Sequence, residues 1–218
     1  MNRAIPFIKA LVFLLCLIPL AHLCWAFQQD DLGANPIEAL TRGLGTWALN
    51  FLMITLAVTP LRKLTGWHWL IRLRRMLGLY AFFYALLHWT SYIWLDQFFD
   101  WGEIARDILK RPFITIGMMA FLLLVPLAAT SNNYAIRRLG GKRWMELHRT
   151  VYAIGILAVL HYIWLVKLDV LKPVLYGLVL ATLLGVRAWW RYQEKQRQLA
   201  GAYLRKPKGR IIPIVVKR

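Results

Sequence analysis

Cysteine is scarce in this 218-residue chain, and so is negative charge. The only two cysteines, Cys16 and Cys24, lie in one apolar run and form no CxxC motif. They supply no ligand set for zinc or for an iron–sulfur cluster. Ten acidic residues stand against 28 basic ones, which gives a formal net charge of +18. The basic residues lie between and after apolar runs, as membrane anchors do, so we expect no nucleic acid to bind.

Hydrophobic residues make up 59% of the chain, above the share of about half that is typical of soluble domains. A helix that crosses a membrane needs roughly 20 predominantly apolar residues. The sequence contains six such windows and therefore predicts an all-α integral membrane protein with six transmembrane helices. The windows are residues 8–27, 44–60, 76–95, 113–130, 149–166 and 170–190.

These six windows leave no room for an independent catalytic domain. We expect one transmembrane domain over residues 1–190 and a basic cytoplasmic tail over residues 191–218, whose end is largely extended. The first window is long enough to span a bilayer, which favours a retained helix over a cleaved signal peptide.

Charge is distributed unevenly between the two sides of the predicted helices. On one side lie the N-terminus, the loops 61–75 and 131–149, and the chain from Arg187 onward. That side holds 22 of the 28 basic residues, but only Glu146 and Glu194 among the ten acids. Because loops rich in lysine and arginine stay in the cytoplasm, we predict that both termini are cytoplasmic and that the protein lies in a bacterial inner membrane.

Two of the five histidines are predicted to lie deep in the bilayer. His88 and His161 each lie twelve residues after the predicted cytoplasmic start of their helix, or about 18 Å into the membrane. Ionisable residues at this depth are costly and usually functional. Two imidazoles at one depth suit the axial positions of one low-spin haem. His22 lies near the outer end of the first helix and His68 lies in the basic cytoplasmic loop, among tryptophans, so neither needs a special role.

The same spacing predicts a second, inner site that is incomplete. His148 precedes His161 by thirteen residues, whereas the position thirteen residues before His88 is Arg75, which follows Arg74. Arginine is not an ordinary haem ligand, but it pairs well with propionates, flavin phosphate or lipid headgroups. The residues therefore indicate one complete bis-histidine site and one incomplete site.

Two long blocks of the sequence resemble a known family. They are "RRMLGLYAFFYALLHWTSYIWLD", with "TPLRKLTG" before it, and "LAATSNNYAIRRLGGKRWMELHRTVYAIGILAVLHYIWLVK". Both are similar to the MsrQ (YedZ) family, the haem-binding membrane subunits of periplasmic methionine sulfoxide reductase systems. That family lies within the ferric-reductase-like transmembrane group, and the resemblance covers nearly the whole chain.

The resemblance implies a six-helix bundle that holds haem b, with FMN as a further cofactor. It implies that electrons come from respiratory quinones, or from a cytoplasmic flavin reductase, and pass to the periplasmic molybdopterin partner MsrP. His88, His148 and His161 match the family's histidine positions. The NADPH oxidases, which are related to the same group, carry histidine where this chain has Arg75, which makes His148 a candidate for a one-sided haem, quinone or flavin site.

Two other functions stay open at this point. A stand-alone transmembrane ferric or quinone reductase would work without MsrP. A non-redox transporter or assembly factor would use the histidines for protons or metal, but the predicted spans contain no acidic residue that would support proton or metal handling.

Overall fold

The computed structural model describes the backbone of residues 4–166 and 169–204 and the side chains of residues 5–166 and 169–200. Within these residues the chain forms nine α-helices and no strand, which confirms the all-α prediction. The helices are α1 (Ala4–Gln28), α2 (Pro36–Thr65), α3 (Arg74–Ser91), α4 (Trp101–Lys110), α5 (Pro112–Ala129), α6 (Asn133–Leu139), α7 (Gly141–His148), α8 (Val151–Leu165) and α9 (Leu171–Leu204).

Each of the six predicted windows falls on a helix, but only four of the described helices are long and apolar enough to cross a membrane. These are α1, α2, α5 and α9. Helix α8 is short, with 15 residues. Helix α3 has 18 residues but begins with Arg74 and Arg75, and a π-helical turn, Tyr92–Asp96, continues it. The structure thus supports four candidate spans where the sequence predicts six.

Helix α2 is much longer than the predicted window 44–60 because capping residues define its ends. The side chain of Asn35 accepts a hydrogen bond from the backbone N–H of Glu38 at 3.2 Å, and Pro36 suits the first turn. Gly66, at φ 74°, ends the helix in the left-handed region that glycine adopts without strain. A hydropathy window misses these polar turns.

Other helix boundaries differ from the sequence prediction because a hydropathy window does not detect polar helical turns. Helix α9 continues to Leu204, past the predicted span end at residue 190, as a polar extension of an apolar helix. The predicted extended end, residues 205–218, lies outside the described residues. The predicted loops 96–112 and 131–149 hold the short helices α4, α6 and α7, and α4 is capped by Asp100.

The bundle is organised around two helix pairs. Helix α2 packs most extensively against α3, and α5 packs most extensively against α8. Contacts of α3 with α5 and of α2 with α8 join the pairs, and α9 lies against α2 and α8. The most deeply buried large side chains include Tyr84, Leu56 and Ile154, from α3, α2 and α8. Side chains of α3 and α8 can therefore meet inside the bundle.

Helix α1 is attached to the bundle through tyrosines of α3. The hydroxyl of Tyr84 donates to the carbonyl of Cys16 at 2.8 Å and accepts from the N–H of Leu20 at 3.0 Å. Those two backbone groups lie four residues apart on either side of Pro19, which lacks an N–H and disturbs the helical ladder. The buried hydroxyl of Tyr84 thus supplies hydrogen bonds to backbone groups of helix α1 beside the proline that disturbs the helix.

Candidate functional site

The structure brings His88 of α3 and His161 of α8 together. Their ring centroids lie 6.2 Å apart, and the ring planes are inclined at 73°. The two residues are 73 positions apart in the sequence, so only the contact between the helix pairs creates this arrangement. Two imidazoles from two helices form the core of the candidate site.

Each ring is held by the same kind of hydrogen bond. The Nδ1–H of His88 donates to the carbonyl of Thr41 in α2 at 2.8 Å, and that of His161 donates to the carbonyl of Phe113 in α5 at 2.6 Å. A carbonyl can only accept, so Nδ1 carries the proton in both rings. The lone pair of each Nε2 is then available to a metal, and the backbone bond orients the ring.

The spacing of the two rings fits a haem iron held between them. Two metal–nitrogen bonds of about 2 Å each, with half an imidazole ring on either side, span about 6 Å. Each ring also lies against a glycine of the helix that binds it, Gly45 for His88 and Gly117 for His161. The indole nitrogen of Trp89 is buried and has no hydrogen-bond partner among the described residues, so it is a donor that a propionate could satisfy.

Aromatic rings of α3 and α5 pack against one another, and one of them lies beside the histidine pair. Trp89 stacks on Phe121 at 5.2 Å between centroids, and Phe121 stacks on Phe82 at 6.1 Å. The ring of Phe113 lies 6.1 Å from that of His161. An apolar shell of this kind excludes water and helps to set the potential of a bound redox group.

His148 lies in a different environment at the predicted cytoplasmic side. It is the last residue of α7, and a break at Arg149 and Thr150 separates it from α8. His148 and His161 therefore belong to two helices. On one straight helix their spacing of thirteen residues would point the two side chains about 140° apart, and the break removes that restriction. The ring of His148 stacks on Trp144 at 3.9 Å.

The Nε2 atom of His148 is engaged by the protein itself. It lies 3.0 Å from the hydroxyl oxygen of Thr130, whose own proton is donated to the carbonyl of Pro126 at 2.6 Å. The hydroxyl therefore accepts from Nε2–H. In this tautomer the Nε2 of His148 is protonated and offers no lone pair to a metal. Trp144 closes the cluster by donating to the carbonyl of Thr130 at 2.9 Å.

Arg74 and Arg75 lie close enough to His148 to affect its charge. Burial is the main cause that lowers the pKa of His148, and the positive charges of Arg74 and Arg75 lower it further. Arg75 also donates to the side chain of Asn133 at 2.9 Å. The five predicted site residues thus divide into an outer pair, His88 and His161, and an inner cluster, His148 with the two arginines. His22 and His68 are exposed.

The sequence analysis missed the residues that hold the outer pair. Thr41 and Phe113 act through backbone carbonyls, which any residue type supplies, so their identity carries no signal. Gly45 and Gly117 do leave a signal, since each lies four residues after the carbonyl that its histidine binds. A glycine within an apolar helix at this position was the available clue.

Ion pairs occur on only one side of the described structure. Four are present, all on the loops predicted to be periplasmic: Glu38–Arg42, Glu103–Arg106, Asp107–Arg111 and Asp169–Lys172. On the other side, basic side chains contact carbonyls and aromatic rings. Arg187 is buried and donates to the carbonyl of Leu183 at 3.0 Å, and Lys63 lies 4.5 Å from the ring centre of Trp190.

Comparison with protein families gives a match over the part of the chain that contains the site. Residues 44–159 match the family model described as "Ferric reductase like transmembrane component". This segment includes His88 and His148 and ends two residues before His161. No solved structure matches the chain.

Several bacterial proteins are similar over most of their length. A protein of Azospira oryzae is 62% identical over 89% of this chain and 82% of its own length. A protein of Herminiimonas arsenicoxydans is 53% identical over 88% and 89%, and one of Rhodospirillum rubrum is 57% identical over 81% and 85%. Each is named protein-methionine-sulfoxide reductase heme-binding subunit MsrQ.

Proposed function

Because this chain belongs to the MsrQ family of ferric reductase-like membrane proteins, the heme-binding subunits of protein-methionine-sulfoxide reductase, we propose that it carries electrons across the membrane. The donor is the quinone pool or a cytoplasmic flavin reductase. The acceptor is the periplasmic molybdopterin enzyme MsrP, which repairs methionine sulfoxide in periplasmic proteins. The chain itself performs no bond chemistry on the substrate.

The observation that supports this proposal most is the outer histidine pair. His88 and His161 hold haem b through Nε2, because both Nδ1 atoms are committed to the carbonyls of Thr41 and Phe113. When bound, haem supplies a one-electron carrier within the bilayer. The backbone bonds fix the orientation of both rings and raise their basicity as ligands, and the aromatic shell keeps water away.

We propose six transmembrane helices, with α3 and α8 as the interior pair. Helix α3 reaches the required length when its π-helical continuation to Asp96 is included. Helix α8 is short, but it packs against α5 and α9, so other helices cover it. The excess of basic residues on one side supports cytoplasmic termini in a bacterial inner membrane.

The acidic outer loops are the proposed docking surface for MsrP. Helix α4 presents exposed Glu103 on this side, and the surrounding loops contain most of the chain's acids. An acidic patch can steer a partner of complementary charge and speed its association. The acids concerned are Asp30, Asp31, Glu38, Asp96, Asp100, Glu103 and Asp107.

We assign the inner cluster to the electron-donor side. Arg74 and Arg75 are suited to the phosphate of FMN or to another anion near His148. His148 can bind a haem, a flavin or a quinone there only if its Nε2 is released from Thr130, because that atom is protonated and bonded. FMN and quinone thus remain proposals that rest on the family resemblance and on these side chains.

The proposal is tested with the purified full chain in lipid nanodiscs. Haem content and the reduced spectrum are measured for the wild type and for His88→Ala and His161→Ala, with His22→Ala and His68→Ala as matched controls at exposed positions. A quinol is then added with purified MsrP and a methionine sulfoxide peptide. We expect quinol-dependent repair by the wild type and both controls, and none by the two site variants.

Three results would contradict this proposal in different ways. A colourless wild type after haem-sufficient expression would favour a transporter or assembly factor. A haem protein that reduces ferric chelates but never MsrP would favour a stand-alone reductase. Equal haem content and repair activity in the site variants and the controls would show that His88 and His161 are not the ligands.

A further inference from the structure

The two haem-ligand histidines approach their neighbouring helices in the same way. In α2, His88 binds the carbonyl of Thr41 and lies against Gly45; in α5, His161 binds the carbonyl of Phe113 and lies against Gly117. In both cases the glycine comes four residues after the carbonyl. We propose that Gly45 and Gly117 are positioning residues for the two haem ligands, an inference that rests on the proposed haem site.

Helix geometry explains why the position four residues after the carbonyl matters. In an α-helix the carbonyl of residue i accepts the N–H of residue i+4, so these two residues lie one above the other on one face. The Cα–Cβ bond tilts toward the N-terminus, which points the Cβ of residue i+4 at the carbonyl of residue i. A ring that binds this carbonyl occupies the space that such a Cβ needs. Only glycine leaves that space open.

The distances show how little room there is at the two glycines. A Cβ built on Gly45 would lie 3.0 Å from Nδ1 and 3.1 Å from Cε1 of His88. A Cβ built on Gly117 would lie 2.7 and 2.8 Å from the same atoms of His161. The first pair is tight, and the second is shorter than protein contacts allow. At Gly117 the ring must move and strain its hydrogen bond to the carbonyl, whereas at Gly45 a shift of the ring by a few tenths of an ångström is needed.

Two other glycines provide controls that separate ligand positioning from packing. A Cβ on Gly43 would lie 2.8 Å from a methyl carbon of Leu23, as tight as at Gly117, but the end of a leucine side chain can move aside. A Cβ on Gly185 would meet nothing within 4 Å. All four positions are helical, and alanine favours a helix over glycine, so helix propensity cannot explain a loss at only two of them.

The test compares Gly117→Ala, Gly45→Ala, Gly43→Ala and Gly185→Ala in the full chain, each purified in detergent as a single species. Haem per chain, the midpoint potential and the EPR spectrum of the oxidised protein are measured. We expect the largest change or loss of haem for Gly117→Ala and a smaller shift of potential and g-values for Gly45→Ala. Gly43→Ala and Gly185→Ala should match the wild type.

Two further measurements keep the inference open to refutation. If Gly117→Ala loses its six-coordinate spectrum but its haem still co-elutes with the chain in gel filtration, added imidazole should restore that spectrum in the protein peak, because only the ring of His161 is displaced; an unfolded protein would have released its haem from that peak. Nitrogen-15 signals of the histidine rings report the proton on Nδ1 with or without haem. That signal should change in Gly45→Ala and Gly117→Ala but not in the controls.

The outcomes for this inference and for the proposed function are distinct. Wild-type protein without haem would overturn the proposed function, and the nitrogen-15 signals would still decide the role of the glycines. Ligand signals and potentials in Gly45→Ala and Gly117→Ala that equal those of Gly185→Ala would overturn the inference alone. An effect of Gly43→Ala as large as that of Gly117→Ala would attribute the changes to packing and would also overturn it.

Discussion

The histidines of the outer pair and of the inner cluster differ in which ring nitrogen carries the proton. His88 and His161 give their Nδ1 protons to backbone carbonyls, which leaves Nε2 available to a metal. His148 gives its Nε2 proton to Thr130 and stacks on Trp144. A histidine in a helix bundle can therefore bind iron through Nε2 only when Nδ1 carries the ring proton, as it does where Nδ1 donates to a backbone carbonyl.

The electrostatic surroundings differ as well. The outer pair contacts the carbonyls of Thr41 and Phe113 and the ring of Phe113, while Arg74 and Arg75 contribute to the lowered pKa of His148. Nearby positive charge disfavours the protonated imidazole and favours anions. The inner cluster is therefore better suited to an anionic group or an electron donor than to a second bis-histidine haem.

Removal of one histidine from each region should give the largest contrast. His161→Ala deletes one of the two proposed haem ligands, so we expect nearly complete loss of the low-spin b-type signal. His148→Ala should leave the outer signal at an unchanged midpoint potential. Potentiometric titration of both purified variants checks this prediction. Loss of the same redox component in His148→Ala as in His161→Ala would contradict the proposal that the two regions have different roles.

Substitution of Thr130 should release the inner ring without affecting the outer pair. Thr130→Val removes the acceptor of His148 Nε2–H, with an expected cost of about 1 kcal/mol in the free energy of unfolding. Carbethoxylation of His148, followed by mass spectrometry, should become faster. Thr130→Ser keeps a hydroxyl and serves as the control. An unchanged modification rate in Thr130→Val would show that this hydrogen bond does not protect the ring.

A change of pH should act on the inner cluster before it acts on the outer pair. The pKa of His148 is lowered in the folded protein, so the unfolded state binds a proton more readily as the pH falls through about 6.5. Stability of α7 is then complete above that pH and decreases below it. The protection factors of residues 141–148 in hydrogen exchange, corrected for the intrinsic exchange rate at each pH, should fall between pH 7.5 and 5.5, while the haem spectrum stays constant.

The control for the pH prediction is His148→Gln, which has no titrating ring. In this variant the protection factors of α7 should be nearly independent of pH over the same range. A pH dependence that persists in His148→Gln would assign the effect to another group.

An ion pair of the outer loops should give the smallest effect. Glu103 and Arg106 lie 2.9 Å apart with about half of each side chain exposed, and pairs of this kind contribute at most about 1 kcal/mol. Glu103→Gln should change the free energy of unfolding by less than that and leave the haem potential unchanged. Unfolding at low and high salt measures the contribution. A shifted potential would mean that surface charge acts on the site.

The sequence was sufficient to predict the six apolar helices and the proximity of His88 and His161, because the charge asymmetry gives the direction of each helix and direction gives the depth of each histidine. It could not place the ends of α2 and α9, since capping by Asn35 and the polar extension to Leu204 are invisible to hydropathy. Six spans were predicted where four described helices qualify, because α8 has only 15 residues and α3 begins with two arginines.

The chemical difference between the two regions could not be predicted from the sequence. It depends on Thr41, Phe113 and Thr130, which act through atoms whose position is defined only by helix packing. The break between α7 and α8 at Arg149 and Thr150 had no proline or glycine to mark it. The sequence shows His88, His148 and His161 only as three histidines, whereas their hydrogen-bond partners distinguish His148 from the other two.

The most direct test of the central claim is the EPR spectrum of the oxidised wild type, with His88→Ala and His161→Ala beside it. If the two rings hold one iron at the observed inclination of 73°, the wild type should show the large-gmax low-spin signal of nearly perpendicular imidazole planes. Both variants should lack that signal. A bis-imidazole signal that survives in either variant would contradict the assignment of His88 and His161 as the haem ligands.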